Sequence, residues 1–448
     1  MSSEKKRGRR ILKWTFIVFG GLLAIILVGN ALAVWITGTQ LDRELAKIRA
    51  AGGPVSLADL EPKPVPPDQN AATYLRRARE DLVAIDSEIS QALNAGAGLD
   101  DRSPAVLNTI RSAVTRYPKV IPLLEQAAAC SRYASTEPSV SNDLEAFFDA
   151  IIPRVQDRRP AARLLGSYWP EVLLAEGKRE EAVRSNIALL RLCRLFDQQP
   201  ALVDFLASIA CRGIALHSLN HILQTGSVSD ELRQELEDEL AKHNLDVAFR
   251  LALKTERAVG FSSFRYFFPL PYEDNWFARG FYNRLQLRYL EQLTWYIEHT
   301  PEEPSVDKIA EVNSSPPPDC SFGFGTGGGL LAAQIAQRNG QSLLNAIRVL
   351  NALQRRENRD EPPAADLSDL GLPREATLDP FTGKPLIVKR VPDGWLVYSV
   401  GQNGIDDGGH IDEEPLDIGY GPPAKPDDKE PEAAAGGPEG GGSPISAE

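Results

Sequence analysis

The sequence predicts a mainly α-helical protein with an N-terminal transmembrane helix, a multi-helix extracytoplasmic body of helical hairpins and a small C-terminal β-hairpin module. Three observations predict this fold class. A single segment, residues 14–36, has no charged residue and is long enough to cross a bilayer. Residues 70–300 carry apolar side chains at helical spacing almost throughout. Two short strand-like runs then flank a turn at Asp393 and Gly394.

Composition and charge narrow the class of protein. The chain has 448 residues, of which 43% are hydrophobic, and a formal net charge of −12. This apolar content excludes a wholly disordered chain, and the single long apolar segment excludes a multi-span membrane protein. The acidic balance disfavours nucleic acid as a partner. The charge is also uneven, because residues 1–13 carry +5 and residues 406–448 carry −10.

Residues 14–36 are the predicted membrane anchor. As a helix these 23 residues extend about 34 Å, enough for a hydrocarbon core of about 30 Å. Trp14 and Trp35 lie near the two ends, where aromatic rings settle at the headgroup level. The basic stub 1–13 predicts a cytoplasmic N-terminus, and therefore a single-pass protein of the cell inner membrane whose bulk is periplasmic or extracellular. The alternative is a cleaved secretory signal, because residues 31–33 read Ala-Leu-Ala, the spacing of a cleavage site.

The rest of the chain divides into five predicted segments. Residues 37–69 form a linker that first continues the anchor helix and then becomes proline-rich. A helical domain covers 70–300, and prolines and glycines mark a second linker over 301–329. Residues 330–420 form a module of one helix and a β-hairpin. Residues 421–448 are rich in Pro, Gly, Ala and acidic residues, which predicts a disordered acidic tail.

Aromatic residues are concentrated in one segment of the helical domain. Ten of them lie between Phe261 and Tyr282, although the whole chain has only 33. We favour the interpretation that this is a proline-containing crossover whose rings fill the core between helices. The alternative is a binding surface for a glycan, a peptide or the membrane interface, supported by the nearby Arg265, Arg279 and Arg284.

The sequence predicts no catalytic residue and no cofactor-binding residue. His217 and His221 are spaced as a metal pair on a helix, but the glutamate of a zincin helix and a third ligand are missing. The glycine-rich run before Leu330 fits neither dinucleotide nor Walker spacing, so we interpret it as part of the linker. Four cysteines are too few for a disulfide framework in a chain of this length, and we expect them to be small buried side chains.

The C-terminal module carries the most specific motif. Residues 379–385 read Asp-Pro-Phe-Thr-Gly-Lys-Pro, residues 398–401 read Tyr-Ser-Val-Gly, and a glycine- and aspartate-rich loop leads to Asp417 and Ile418. At these positions the chain resembles the C-terminal part of the type II secretion major pseudopilin. A helix beginning at Leu330 stands where the stem helix of that family would. The resemblance covers roughly residues 330–418, about a fifth of the chain.

The loop of that family binds calcium, so the resemblance implies a calcium site in this chain. Ca²⁺ takes six to eight oxygen ligands, and glycines let backbone carbonyls turn inward. The candidate metal-ligating residues are Ser399, Asn403, Asp406, Asp407, Asp412 and Asp417. Asn403 stands where the family usually has aspartate, and the lost charge weakens the expected site. The alternative is an acidic, solvated loop that needs no ion.

The chain departs from a pseudopilin in its organisation. About 290 mostly helical residues separate the membrane helix from the module, which argues against a filament subunit. The anchor, the Asn-Ala-Ala-x-Tyr motif at 70–74 and the motif at 379–385 together resemble uncharacterised envelope proteins common in planctomycete-type bacteria. We expect a membrane-tethered extracytoplasmic interaction or assembly protein without evident catalysis, held in the membrane by one helix and bound to an unknown protein partner. The alternatives are an envelope-polymer hydrolase and a secretion-system accessory protein.

Overall fold

A computed structural model gives the fold of the chain. It describes residues 2–60, 64–95, 103–134, 144–199, 201–267, 275–300, 326–359, 361, 362, 364, 366–411 and 416–422. Four predictions fall outside these residues: the second linker up to residue 325, the tail from residue 423, the ligand candidate Asp412 and the buried thiol Cys320. The described part is mainly helical, with an N-terminal apolar helix and a small antiparallel sheet near the C-terminus, which confirms the predicted fold class.

The described residues form twelve α-helices. They are α1 (Ser2–Ala50), α2 (Ala71–Ala95), α3 (Pro104–Arg116), α4 (Val120–Ala129), α5 (Leu144–Arg163), α6 (Trp169–Ala175), α7 (Arg179–Phe196), α8 (Leu202–Gln224), α9 (Asp230–Leu240), α10 (Leu245–Phe267), α11 (Trp276–His299) and α12 (Thr326–Asn358). Local capping explains several of their starts. The side chain of Ser103 accepts a hydrogen bond from Val106 N at the start of α3, and Asn275 accepts from Phe277 N and Ala278 N at the start of α11.

Helix α1 has an exposed apolar half and a buried end. Most of its large apolar side chains from Trp14 to Ile36 are exposed. Further along, Leu41 and Ile48 are buried in a cluster with residues of α10 and α11. The helix therefore runs through the first part of the predicted linker without a break, as expected, and it ends before Gly52, which has a positive φ of 70°.

Two large apolar clusters form most of the core of the described residues, and a third, small cluster contains Leu57 and Val259. The larger cluster contains residues from α2 to α9, from α12 and from the sheet. The smaller cluster contains residues from α1, α8, α10, α11 and the start of α12. Helix α8 contributes to both, with Leu219 and Ile222 in the larger cluster and Phe205 in the smaller one. This helix consequently lies at the centre of the body.

The C-terminal sheet has three antiparallel strands in the order β1, β2, β3. These strands are β1 (Ile387–Val391), β2 (Gly394–Ser399) and β3 (Ile418–Tyr420). The predicted hairpin is present, but its turn lies one residue earlier than predicted. Val391 pairs with Gly394, so the loop is formed by Pro392 and Asp393 and not by Asp393 and Gly394. The third strand pairs with β2 through Ser399 and Ile418. The sequence does not predict this strand, because three residues are too few to show an alternating pattern.

Helix α12 and the sheet pack directly onto the helical body. Helix α12 contacts α8, α9 and α10 as well as β2 and β3. The side chain of Gln224 in α8 accepts from Trp395 N (3.2 Å) and donates to Trp395 O (2.6 Å) in β2. Residues 326–329, predicted as linker, instead form the first turn of α12. The C-terminal elements thus share the core of the body. Local sequence patterns do not predict this packing.

Candidate functional site

Five of the six predicted calcium ligands lie in and beside the loop between β2 and β3, where hydrogen bonds connect several of them. Asn403 Nδ2 donates to Asp407 Oδ2 (2.7 Å). The two carboxylate oxygens of Asp417 accept from Asp407 N (3.4 Å) and Gly409 N (2.8 Å). The sixth candidate, Asp412, lies outside the described residues. The loop is thus organised by contacts within the chain.

Asp406 and Ser399 also have partners in this loop. Asp406 Oδ1 accepts from the hydroxyl of Tyr398 (2.8 Å) and from Gly408 N (2.9 Å), and these hydrogen bonds lower the pKa of Asp406. Ser399 is fully buried, and its hydroxyl donates to Asp379 Oδ1 (2.8 Å). A calcium ion bound here would have to compete with these hydrogen-bond donors for the same side-chain oxygen atoms.

No metal-binding group is apparent in the part of the chain that the structure describes. There, no cluster of three or more His, Cys, Asp or Glu side chains is arranged to hold an ion. A calcium site does not require such a cluster, because calcium also binds amide and backbone carbonyl oxygens. The calcium site therefore stays a prediction.

Asp379 has a structural role that sequence analysis missed. Its Oδ1 accepts from Phe381 N (2.7 Å) as well as from Ser399 Oγ, and its Oδ2 accepts from Val400 N (3.0 Å). The side chain is only 2% exposed. One buried carboxylate thus joins the 379–385 turn to the end of β2, which gives the first residue of the motif a purpose that requires no metal.

The other predicted features are separate from this loop. His217 is exposed, and its ring centroid lies 6.5 Å from that of Tyr420. Cys193 and Cys211 are buried free thiols, and burial raises the pKa of Cys211 to about 11. Cys130 is also a free thiol but is only partly buried, which corrects the expectation that it would be a core side chain. It ends α4 at the surface, where its backbone N–H bonds to Ala127 O.

The aromatic segment is divided between core and surface. Phe264 packs edge-on against Tyr282 and Tyr289, with ring centroids 5.9 and 5.5 Å apart. Three other members, Trp276, Phe277 and Phe281, are exposed. Residues 268–274 lie outside the described residues. The prediction that the rings fill the core therefore holds for one part of the segment only.

A polar pocket of about 330 Å³ lies where α10, α12 and the end of α11 meet a 3₁₀ turn (Arg374–Thr377). Its polar lining includes Asp246, Gln337, Arg338, Gln341, Asn345 and His299. A cavity of this size with converging amide, carboxylate and guanidinium groups can hold a small polar molecule. The sequence does not predict this pocket, because residues 246 and 337 are far apart in the chain and neither belongs to a motif.

Asp246 is the titratable centre of this pocket. Its side chain is buried, and Oδ1 accepts a hydrogen bond from Gln337 Nε2 (2.8 Å). Burial raises the pKa of Asp246 to about 6, although this hydrogen bond and the charge of Arg338 act in the opposite direction. Burial likewise lowers the pKa of Arg338. A carboxyl group that titrates near neutral pH beside a guanidinium can exchange a proton with a bound molecule.

His243 is a buried imidazole beside the pocket, and its Nε2 lies 4.0 Å from Glu239 Oε1. Its Nδ1 accepts from Arg212 Nε (3.1 Å), which assigns the proton to Nε2. Burial, together with the charge of Arg212, holds the pKa of His243 well below its ordinary value. The imidazole is thus uncharged at neutral pH.

Comparison with models of known protein families, with curated proteins and with solved structures finds no match for this chain. Any function must therefore be inferred from the apolar helix α1, the pocket and the C-terminal loop themselves. The resemblance of residues 330–418 to a pseudopilin stays a prediction.

Proposed function

We propose that the protein is a single-pass membrane protein of the cell inner membrane, with a cytoplasmic N-terminus and a helical body that binds a protein partner outside the cytoplasm. One observation carries this proposal. Helix α1 passes without interruption from an exposed apolar stretch into the core of the body at Leu41 and Ile48. A helix of this kind holds the body close to the membrane instead of on a flexible tether.

The contacts of α1 favour a retained anchor over a cleaved signal. Asn30, which precedes the possible cleavage site at residues 31–33, donates to Trp276 O (2.9 Å) in α11. The backbone of Ala33 also lies against Gly280 of the same helix. Cleavage after Ala33 would remove these contacts, whereas a signal peptide ordinarily has no role in the folded body.

A pull-down from solubilised membranes tests the binding function. The full-length chain with a C-terminal tag is purified in mild detergent, and co-purifying proteins are identified by mass spectrometry. The matched control is residues 1–50 joined to an unrelated extracytoplasmic domain, because it keeps α1 and lacks the body. We expect the same extracytoplasmic proteins in independent preparations and none of them with the control. If nothing reproducible exceeds the control, the proposal loses its support.

The polar pocket supports a second candidate function, an envelope-polymer hydrolase. Asp246 would act there as general acid or base, since its pKa of about 6 lies close to neutral pH. The test is release of soluble fragments from purified cell-wall polymer by the full-length protein, compared with Asp246→Asn. Asp42→Asn is the control, because Asp42 is exposed on α1. Equal release by the wild type and Asp246→Asn would exclude this role for Asp246.

The pseudopilin-like region supports a third candidate, a secretion-system accessory protein that binds calcium. The support is the resemblance of the loop sequence and the positive φ of Gly401, Gly404, Gly408 and Gly409, which lets a loop turn its carbonyls inward. A calcium titration of the full chain, described below, is its test.

A further inference from the structure

Helices α1 and α11 run side by side in a fixed register. Asn30 Nδ2 donates to Trp276 O (2.9 Å), and Asn283 Nδ2 donates to Thr37 Oγ1 (3.3 Å). Both pairs are separated by 246 residues in the chain. Two contacts with the same offset, about 10 Å apart along the axis, mean that the helices are parallel and that each residue of α11 is level with the residue of α1 that precedes it by 246.

Small residues allow the two helices to approach closely. A Cβ atom on Gly280 would lie 3.5 Å from the backbone of Ala33 and Val34, and one on Gly38 would lie 3.5 Å from Asn283 Nδ2. Contacts of this type are typical of helices that pack within a membrane. Asn30 lies inside the uncharged stretch 14–36, where an amide without a partner is costly, and the carbonyl of Trp276 is its acceptor.

Apart from the exposed Arg279, both helices change from apolar to charged surface at the same level. On α1 the last exposed large apolar side chain is Ile36, and the next charged residue is Asp42. On α11 the last is Phe281, which is level with Trp35, and the next exposed charged residue is Arg284. Three aromatic side chains lie on the apolar side of this boundary: Trp276 is 38% exposed, Phe277 58% and Phe281 59%. These three side chains are exposed at the level where the apolar side chains of α1 are also exposed.

We propose that α11 begins in the membrane, with residues 276–281 in the outer interfacial layer beside α1 and their three exposed aromatic rings in contact with lipid. The proposal rests on the proposed function, because it requires α1 to span the bilayer. Aromatic rings prefer this interfacial layer. Arg279, also exposed, is long enough to extend its guanidinium to the headgroups.

Spin labels at three matched positions test this proposal in the full-length protein reconstituted into lipid bilayers. Single cysteines replace Phe281, Ile25 and Val83 in a background that carries Cys130→Ser and Cys320→Ser. Ile25 is 73% exposed in the span of α1, and Val83 is 51% exposed on α2 in the body. Because all three side chains are exposed, the labels leave the core intact. The measurement is the collision rate of each label with oxygen, which concentrates in lipid, relative to a water-soluble paramagnetic chelate.

The three labels separate the outcomes. We expect the label at 281 to shift away from the value at 83 and towards the lipid value at 25. A water-like value at 281 with a lipid value at 25 would overturn the interfacial position of α11 and leave the anchor intact. A label at 281 that is shielded from both reagents would also overturn it, because a protein surface would then cover the aromatic rings. A water-like value at 25 would overturn the anchor, and the inference with it.

Discussion

Helices α1 and α8 are both long and apolar enough to cross a membrane, but their surroundings differ. In the most apolar stretch of α1 no residue is buried, whereas half of the corresponding stretch of α8 is buried in the body. Helix α8 also carries buried polar side chains, including Asp204, Ser208 and Arg212. Hydropathy alone therefore does not distinguish the two helices. The exposed apolar surface of α1 makes it the candidate for a membrane span, whereas the apolar surface of α8 is partly covered by protein.

The buried polar groups of α8 have partners in neighbouring helices. Arg158 Nη2 of α5 donates to Asp204 Oδ1 (2.6 Å), and both side chains are at most 1% exposed. The guanidinium of Arg158 also lies 4.7 Å from the ring centroid of Phe196. Ser208 Oγ donates to Oδ1 of Asp197 (2.6 Å), the residue that follows the end of α7. These contacts exist only if α8 lies in the protein core, since a lipid-facing helix would leave the same charges in hydrocarbon.

The largest expected effect comes from breaking the buried ion pair of α8. Asp204→Ala should lower the free energy of unfolding by about 3–5 kcal/mol, because it leaves the Arg158 guanidinium buried without its counter-charge. Thermal and urea unfolding followed by circular dichroism measure this loss. The control is the double variant Arg158→Met with Asp204→Leu, which removes both charges and should be less destabilising than the single change. A single variant as stable as the wild type would contradict the assignment of α8 to the core.

The opposite substitution tests α1. Ile25→Arg should disfavour membrane insertion by about 3 kcal/mol and release part of the protein from membranes at alkaline pH, because it places a charge at the middle of the span. The stability of the body in detergent should not change, since Ile25 is 73% exposed. Ile25→Leu is the matched control and should behave as the wild type. Unchanged membrane association of Ile25→Arg would contradict a spanning α1.

The sequence predicts features formed by residues close together in the chain, and it does not predict contacts between residues that are far apart in the chain. The long apolar stretch of α1 and the β-hairpin are local patterns, and the sequence predicts both. The third strand, the docking of Gln224 on Trp395 and the three hydrogen bonds accepted by Asp379 were not, because their partners come from distant parts of the chain. The same reason hid the pocket, in which Asp246 and Gln337 are 91 residues apart.

Asp246 is a buried ionisable side chain outside α8, in α10. The pKa of Asp246 is about 6 in the folded protein, above the ordinary value of 3.8. The folded state therefore binds the proton more tightly, so the free energy of unfolding should fall as the pH rises from about 4 to 6, by up to about 3 kcal/mol. Asp246→Asn should remove this dependence and raise stability at pH 7. Urea unfolding at a series of pH values measures it, and identical pH profiles for the two proteins would contradict the buried, ionisable state of Asp246.

The smallest expected effect concerns the loop between β2 and β3. If this loop binds calcium with millimolar affinity, a tenfold excess over the dissociation constant stabilises the fold by about 1.4 kcal/mol. The melting temperature of the full chain should then rise by about 2 °C for a body of this size. Asp407→Asn is the control, because the carboxylate of Asp407 accepts a hydrogen bond only from Asn403 among the contacts described for it. An unchanged melting temperature at about 10 mM calcium, tenfold above a millimolar dissociation constant, would remove the metal site.

Cysteine labelling on the two sides of α8 tests the central claim most directly, namely that α1 spans the membrane and α8 belongs to the body. Val83→Cys precedes α8 and Val247→Cys follows it, and these valines are 51% and 50% exposed. In the background lacking Cys130 and Cys320, intact spheroplasts are treated with a membrane-impermeant maleimide. The account predicts that both positions are labelled without permeabilisation. Labelling of only one would mean that α8 crosses the membrane, and labelling of neither would place the body in the cytoplasm.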